Sequence, residues 1–223
     1  DYHGNVTTKQ ADLDAWVERM WRAGIQPNCH VNGDVAMDMY LTSLERAQRL
    51  FPRRAVRPKL THATLAYPAI IARMKALDAV PACFTSYAYY NPDKFKFYGE
   101  ALMEHMMPYR SYLDAGIKVA GGCDFPPGPF APLMGIQGMV TRTGWNGETW
   151  GANQRISVDD ALRVYTWNGA YNSHEEHLKG SIAPGKLADY VVLADDPRSI
   201  AHDKIKDIQI VRTVTGGQTT YSA

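Results

Sequence analysis

Apolar residues recur along the first half of the chain at helical spacing, interrupted at intervals by short β-rich runs. Leu13, Trp16, Val17, Met20 and Trp21 fall at i, i+3, i+4, i+7 and i+8, which makes one face of a helix stopping at Gly24. Ile25 to Val31 has strand character. Met37, Tyr40, Leu41, Leu44 and Ala47 mark a second amphipathic helix, and Arg57 to Thr61 a second strand. Tyr67 to Ala79 reads as a helix with Ile70, Ile71, Met74 and Leu77 on one face, and Val80 to Thr85 as a strand. Asn91 to Tyr98 is an aromatic, lysine-rich loop. Ala101 to Ala115 predicts a helix bent at Pro108, and Ile117 to Ala120 a strand stopping at Gly121-Gly122.

The order is therefore α-β-α-β-α-β-α-β. Strands separated by helices imply parallel pairing. The count is half that of a (β/α)8 barrel, which needs about 250 residues. A four-stranded open sheet is the alternative.

Beyond Cys123 the texture changes. Asp124 to Pro132 is a long Pro- and Gly-rich loop, and Trp145 to Asn153 a second loop rich in Gly and Trp. Ser157, with Asp160 three residues on, opens a helix that runs to about Tyr171. From Leu178 the period switches to strands: Ala188 to Leu193, then a hairpin of Ile208 to Val214 and Thr219 to Tyr221 around Gly216-Gly217. The division falls at residues 1–177 and 178–223, and the second part is too small to be a domain alone.

Composition narrows the function. The 223 residues are 45% hydrophobic and 21% charged, as in ordinary soluble proteins. A net charge of +1 gives no reason to expect nucleic acid or an anionic membrane as partner. No run approaches the roughly 18 apolar residues of a membrane span. Asp1 to Gln10 is polar, without the apolar core of a signal peptide. The compartment stays open, with the cytoplasm ahead. Cys29, Cys83 and Cys123 form no CxxC pair, so they read as small buried hydrophobes.

The chemistry lies at the strand ends. His30 lies at the end of the first strand, His62 at the end of the second, and Asp124 at the end of the fourth. The C-terminal strand ends of a parallel α/β barrel form the face that carries the active site. Imidazole is the commonest nitrogen ligand for zinc, and a carboxylate beside it ligates or takes a proton from water. Singly, each has a structural explanation: a satisfied polar residue for either histidine, a turn before Pro126 and Pro127 for Asp124. Their joint placement favours a metal site. Asp34 reads as a helix cap. His174 and His177, in SHEEH at a helix end, lack a third ligand and read as surface; His105 reads as helical, His202 falls in a late loop, and His3 is assigned no role. Lys186 sits in a Pro-Gly-Lys turn with no GxxxxGK before it, and reads as structural.

These segments resemble the amidohydrolase superfamily. CHVNGDVAMDMYLTSLE, from Cys29, resembles its HxxGDxA element and is closest to the branch of N-substituted formamide deformylases and predicted metal-dependent hydrolases. KLTHATL from Lys59 resembles the next strand, and AGIKVAGGCDFPPGPFAPLMGIQGMVTR from Ala115 the eighth strand and its loop. DDALRVYTWNGAY and GSIAPGKLADYVVLADDP resemble the closing helix and the return into a small β-sandwich.

The resemblance implies an α/β fold. The chain would be the C-terminal half of a (β/α)8 TIM-like barrel plus a short β segment of an accessory β-sandwich. It implies that His30 and His62 are metal ligands from the fifth and sixth strands, and that Asp124 is ligand and general base. It implies a divalent metal, with zinc favoured by ligand type, and hydrolysis of carbon-nitrogen bonds other than peptide bonds in a small-molecule substrate. Cys123 stands where the family usually has Ser, and Thr61 where it usually has an acidic residue. The family's His-x-His pair and its strand-four Lys or acidic ligand are absent from this sequence, so the expected partner is the missing N-terminal half, in cis or as a separate chain. A homo-oligomer is a further possibility. The rivals are an isomerase or decarboxylase on the same barrel, or a non-catalytic fragment or assembly module whose open edges seek a partner. The aromatic stretch Phe84 to Tyr98 and the loop around Trp145 and Trp150 are either a pocket wall or packing.

Overall fold

The apolar stripe at the N-terminal end does form a helix. In the computed structural model, which describes residues 5–223, α1 (Gln10–Arg22) buries Leu13, Val17 and Trp21. The Trp21 indole N–H donates to the Phe51 carbonyl at 2.9 Å. His3 lies outside the described residues. Strand β1 (Asn28–Val31) follows, then α2 (Asp34–Leu50), which buries Met37, Tyr40, Leu41, Leu44 and Ala47. Arg46 to Glu18 at 2.9 Å and the Ser43 hydroxyl to Asp14 at 2.6 Å link the polar flanks of the two helices.

Next come β2 (Lys59–His62), α3 (Pro68–Ala76) and β3 (Val80–Phe84). Three single turns, α4 (Tyr87–Tyr90), α5 (Pro92–Phe95) and α6 (Glu100–Met103), precede α7 (Tyr109–Asp114). Then come β4 (Ala120–Gly122), α8 (Pro132–Thr141), α9 (Val158–Tyr165) and α10 (Trp167–Asn172). The chain closes with β5 (Tyr190–Leu193), β6 (Ile210–Thr215) and β7 (Gln218–Ser222), an antiparallel sheet in sequence order.

The first sheet runs β1-β2-β3-β4, every neighbouring pair parallel. Register puts Asn28 beside Lys59, His30 beside Thr61, Thr61 beside Ala82 and Ala82 beside Ala120. Alternation along the strands then separates two faces. One carries Val31, Leu60, Pro81 and Cys83, all buried. The other carries Asn28, His30 and Gly122, which are exposed. The architecture is α/β with a parallel sheet, and among the described residues β1 and β4 have no further neighbour in it.

Arg142 is the largest buried charge. Its backbone is left-handed, and its guanidinium donates to the carbonyls of Trp150 (3.0 Å), Met107 (3.2 Å) and Met106 (3.2 Å). Burial pulls its pKa down to about 10. It ties the end of α8 to the chain between α6 and α7.

Several expectations change. The helix expected over Ala101–Ala115 is two pieces, α6 and α7. Between them Met106 forms an antiparallel bridge with Leu65, and Met107 N–H donates to the Thr64 carbonyl at 2.6 Å. That pairing, with Pro108 behind it, diverts the backbone from helix, and it leaves His105 in a turn. The strand expected at Ile117–Ala120 lies at Ala120–Gly122 and includes both glycines, because Gly121 packs against Val164 and Thr85 where a side chain has no room. The helix expected from Ser157 to Tyr171 breaks at Thr166 (φ −118°, ψ −94°) into α9 and α10. Asp34 is the first residue of α2 and not its cap, with its carboxylate accepting from the Val35 N–H at 2.9 Å. α8 was not anticipated. His174 and His177 lie beyond the end of α10. No helix of the described residues is long and apolar enough to cross a membrane.

Candidate functional site

His30 reaches the open face by simple strand alternation. His62 does not. Register pairs it with Val31, whose side chain is buried on the opposite face. At this point the backbone turns left-handed, with φ of 72° at His62 and 47° at Ala63. The turn brings the His62 ring to 4.4 Å, centroid to centroid, from the ring of His30, edge to face at 76°. Two such residues in succession cost on the order of 1–3 kcal/mol each and persist only where the surroundings over-determine them. Here they do. Ala63 N–H donates to the Val31 carbonyl at 2.9 Å, Thr64 and Leu65 N–H both donate to the Asn32 carbonyl at 3.2 Å, and the buried Tyr112 hydroxyl donates to the Ala63 carbonyl at 2.9 Å.

Half-burial holds the His62 pKa below its usual value. A charged His30 would lower it further, and the Asp124 carboxylate pulls the other way. His62 is therefore a neutral imidazole at neutral pH, with a ring nitrogen lone pair free to bind a cation. Asp124 is exposed, two residues past β4, with φ of 53°. It heads a loop containing a cis Phe125–Pro126 bond, closed by a Gly128 N–H to Asp124 carbonyl bond at 2.8 Å. Phe84, at the end of β3, lies 6.5 Å from His62 and stacks on Tyr87 at 5.3 Å.

Two of the three expected ligands thus sit side by side, with the third close enough to influence one of them. Among the described residues no three His, Cys, Asp or Glu side chains come together closely enough to hold a metal ion. The donor chemistry, two imidazoles and a carboxylate, fits a divalent metal of the zinc type.

The other candidates stay apart from this pair. His105 packs on Tyr67 at 4.7 Å, and His174 lies 3.3 Å from the Val56 carbonyl. The Lys186 ammonium donates to the Glu176 carbonyl at 2.5 Å and the Ser181 hydroxyl at 2.8 Å, as its structural reading requires. The three cysteines are free; Cys83 is buried, Cys29 and Cys123 are half-buried. Phe95 is buried against Tyr87, whereas Trp145 is exposed.

Sequence reasoning missed the residues that support the strand ends: Tyr112, Thr85 and Tyr165. The two tyrosines fall inside expected helices, and Thr85 ends an expected strand. The available signal was a tyrosine, which needs a hydroxyl partner, at positions where phenylalanine would fill the same space.

The amidohydrolase family model matches residues 3–221. The chain is 31% identical over 216 residues to YtcJ of Bacillus subtilis (strain 168), whose name puts it among the amidohydrolases, covering 94% of this chain and 40% of that protein. It is 30% identical over 205 residues to the N-substituted formamide deformylase of Arthrobacter pascens, covering 91% and 38%. Among solved structures, an uncharacterised metal-dependent hydrolase from Pyrococcus horikoshii OT3 superposes with a TM-score of 0.77 at 21% identity, covering 91% of this chain and 40% of that one. An adenosine deaminase from Xanthomonas campestris with bound zinc gives 0.69 at 16%, covering 97% and 50%. The chain spans about 40% of the length of the curated relatives it matches. The family match runs through both sheets and through all three candidate ligands, and the chain belongs to the amidohydrolase family.

Proposed function

We propose that this chain carries the second half of the active site of a metal-dependent hydrolase acting on carbon-nitrogen bonds other than peptide bonds. Residues 1–177 are the C-terminal half of a (β/α)8 barrel, and residues 178–223 belong to an accessory β-sandwich. The observation that carries this reading is the adjacency of the His30 and His62 rings, 4.4 Å apart at the ends of neighbouring parallel strands. The family match and the edges of β1 and β4, open among the described residues, support it.

His30 and His62 bind the metal, zinc by donor type, through ring nitrogens, and Asp124 completes this chain's contribution. When bound, such an ion acidifies water and polarises a carbonyl oxygen. Asp124 accepts a proton from the attacking water and delivers it to the departing nitrogen, which leaves as a neutral amine. The half-burial of His62 keeps it neutral and available as a ligand. The remaining ligands come from the segment of the family's length that this chain does not span.

The test is a hydrolysis assay on a panel of N-substituted formamides and other non-peptide amides. The chain is assayed with zinc, alone and with the segment of YtcJ that it does not match. Turnover only in the combined sample is expected. Full turnover by the chain alone would contradict the half-site reading. No turnover and no zinc uptake in either sample favours the second reading, a non-catalytic module.

A further inference from the structure

Three tyrosine hydroxyls, those of the buried Tyr109 and Tyr112 directly and that of the half-buried Tyr165 through a threonine, tie to backbone carbonyls at the C-terminal ends of consecutive strands. Tyr112 donates to the Ala63 carbonyl (2.9 Å), directly after His62 at the end of β2. Tyr109 donates to the Phe84 carbonyl (3.3 Å) at the end of β3. At the end of β4 the tie has two steps. The Thr85 hydroxyl and the Thr85 N–H both donate to the Gly122 carbonyl at 3.0 Å. A threonine hydroxyl has one proton, and here it goes to a carbonyl that can only accept. The short contact between Thr85 Oγ1 and the Tyr165 hydroxyl therefore has a direction: Tyr165 donates to Thr85, and Thr85 to Gly122.

Space around this chain of bonds is reserved. A Cβ on Gly135 would lie 2.1 Å from the Tyr165 hydroxyl oxygen and 2.7 Å from Thr85 Oγ1. A Cβ on Gly121 would lie 2.9 Å from a Val164 methyl and 3.2 Å from the Thr85 methyl. Burial pushes the Tyr165 hydroxyl up to about 12 and those of Tyr109 and Tyr112 well above their ordinary value, so all three remain donors at any working pH.

We propose that Tyr112 and the Tyr165–Thr85 pair are positioning residues. Tyr112 holds the left-handed turn that swings His62 to His30, and Tyr165 acts through Thr85 and the Gly122 carbonyl to fix the segment that presents Asp124. The proposal rests on the reading of His62 and Asp124 as ligands given above. Outer partners of this kind typically tune metal affinity by about 10- to 100-fold.

The test uses the full chain and two readouts: amide hydrogen exchange by peptide, and zinc affinity. Tyr112→Phe is expected to raise exchange in residues 63–66, and Tyr165→Phe in residues 122–128. Each should weaken zinc by about tenfold. Thr85→Val should match Tyr165→Phe, the double variant should add little to either, and Thr85→Ser should restore the wild-type behaviour. The control is Tyr40→Phe. Tyr40 is as buried as Tyr112, but its hydroxyl has no partner among the described residues, so neither readout should move. Tyr112→Phe and Tyr165→Phe behaving like Tyr40→Phe, or an exchange increase spread evenly over the chain, overturns the proposal. Local exchange changes in a protein that takes up no zinc at all would uphold the positioning role and sink the metal reading instead.

Discussion

The rings of His30 and His62 lie 4.4 Å apart although the strand register assigns the two residues to opposite faces of the sheet. The contradiction is resolved at one backbone angle, the left-handed φ of 72° at His62. A pair of donors that regular strand geometry would separate is assembled by local strain, and that strain is held by hydrogen bonds from elsewhere in the fold.

Removing either ring tests the pair directly. His30→Ala and His62→Ala should each weaken zinc binding by more than the roughly 10- to 100-fold typical of outer partners. The melting temperature should change little, because His30 is exposed and His62 only half-buried. Competition with a chromophoric chelator measures the affinity, and wild-type uptake by His62→Ala would remove that residue from the site.

Arg142 has a structural role away from the site. Arg142→Met keeps most of the volume but leaves the carbonyls of Met106, Met107 and Trp150 without this donor. The Met107 carbonyl keeps the Tyr109 N–H at 2.8 Å, and the other two are left unsatisfied at about 1–3 kcal/mol each, so a loss of at least about 2 kcal/mol is expected in urea unfolding. A loss below about 1 kcal/mol would mean that water reaches these carbonyls.

Ser157 caps α9. Its hydroxyl oxygen accepts from the Asp160 N–H at 3.1 Å, and its hydroxyl proton goes to the Asp160 carboxylate at 2.7 Å. Ser157→Ala should cost about 1 kcal/mol by the same measurement, and Ser157→Asn should recover most of it.

Acid sensitivity should appear where the end of α10 meets the segment before β2. Arg57 donates to Glu176 at 2.7 Å and to the Tyr171 carbonyl at 2.7 Å, with its guanidinium 3.5 Å over the Tyr171 ring. The hydrogen bond from Arg57 holds the Glu176 carboxyl below its ordinary value of 4.5. A depressed folded-state pKa adds stability above the unfolded value and loses it as pH falls through the folded one. Wild type should therefore melt above Glu176→Gln by a constant margin at neutral pH. The margin should shrink as pH drops below 4.5. A margin that stays flat down to full protonation would assign the difference to packing.

How legible each part was depends on how local its cause is. α1, α2 and α3 follow from apolar residues three and four apart, so periodicity alone finds them. The parallel order of β1 to β4 follows from their alternation with helices. The Ser157 cap needs only a hydroxyl and an N–H three residues away. The break at residues 104–108 was not legible, because it arises from the pairing of Met106 with Leu65, distant in sequence. The strand at Gly121-Gly122 was missed for a similar reason: glycine is a poor strand former, tolerated here because Val164 and Thr85 occupy the space of a side chain.

The site divides in the same way. Residue types and their spacing by themselves determined that His30, His62 and Asp124 fall at or just past strand ends, since strand ends are set by local composition. Only the tertiary structure decided which way His62 faces, because its side chain follows a backbone angle that costs energy locally and is maintained by Tyr112 and Asn32. Likewise, only the fold brings Tyr165 to Thr85 across 80 residues to support the strand that leads to Asp124. A hydrogen bond between distant segments leaves no periodic trace in a sequence, and the last refinement of this site is made of such bonds.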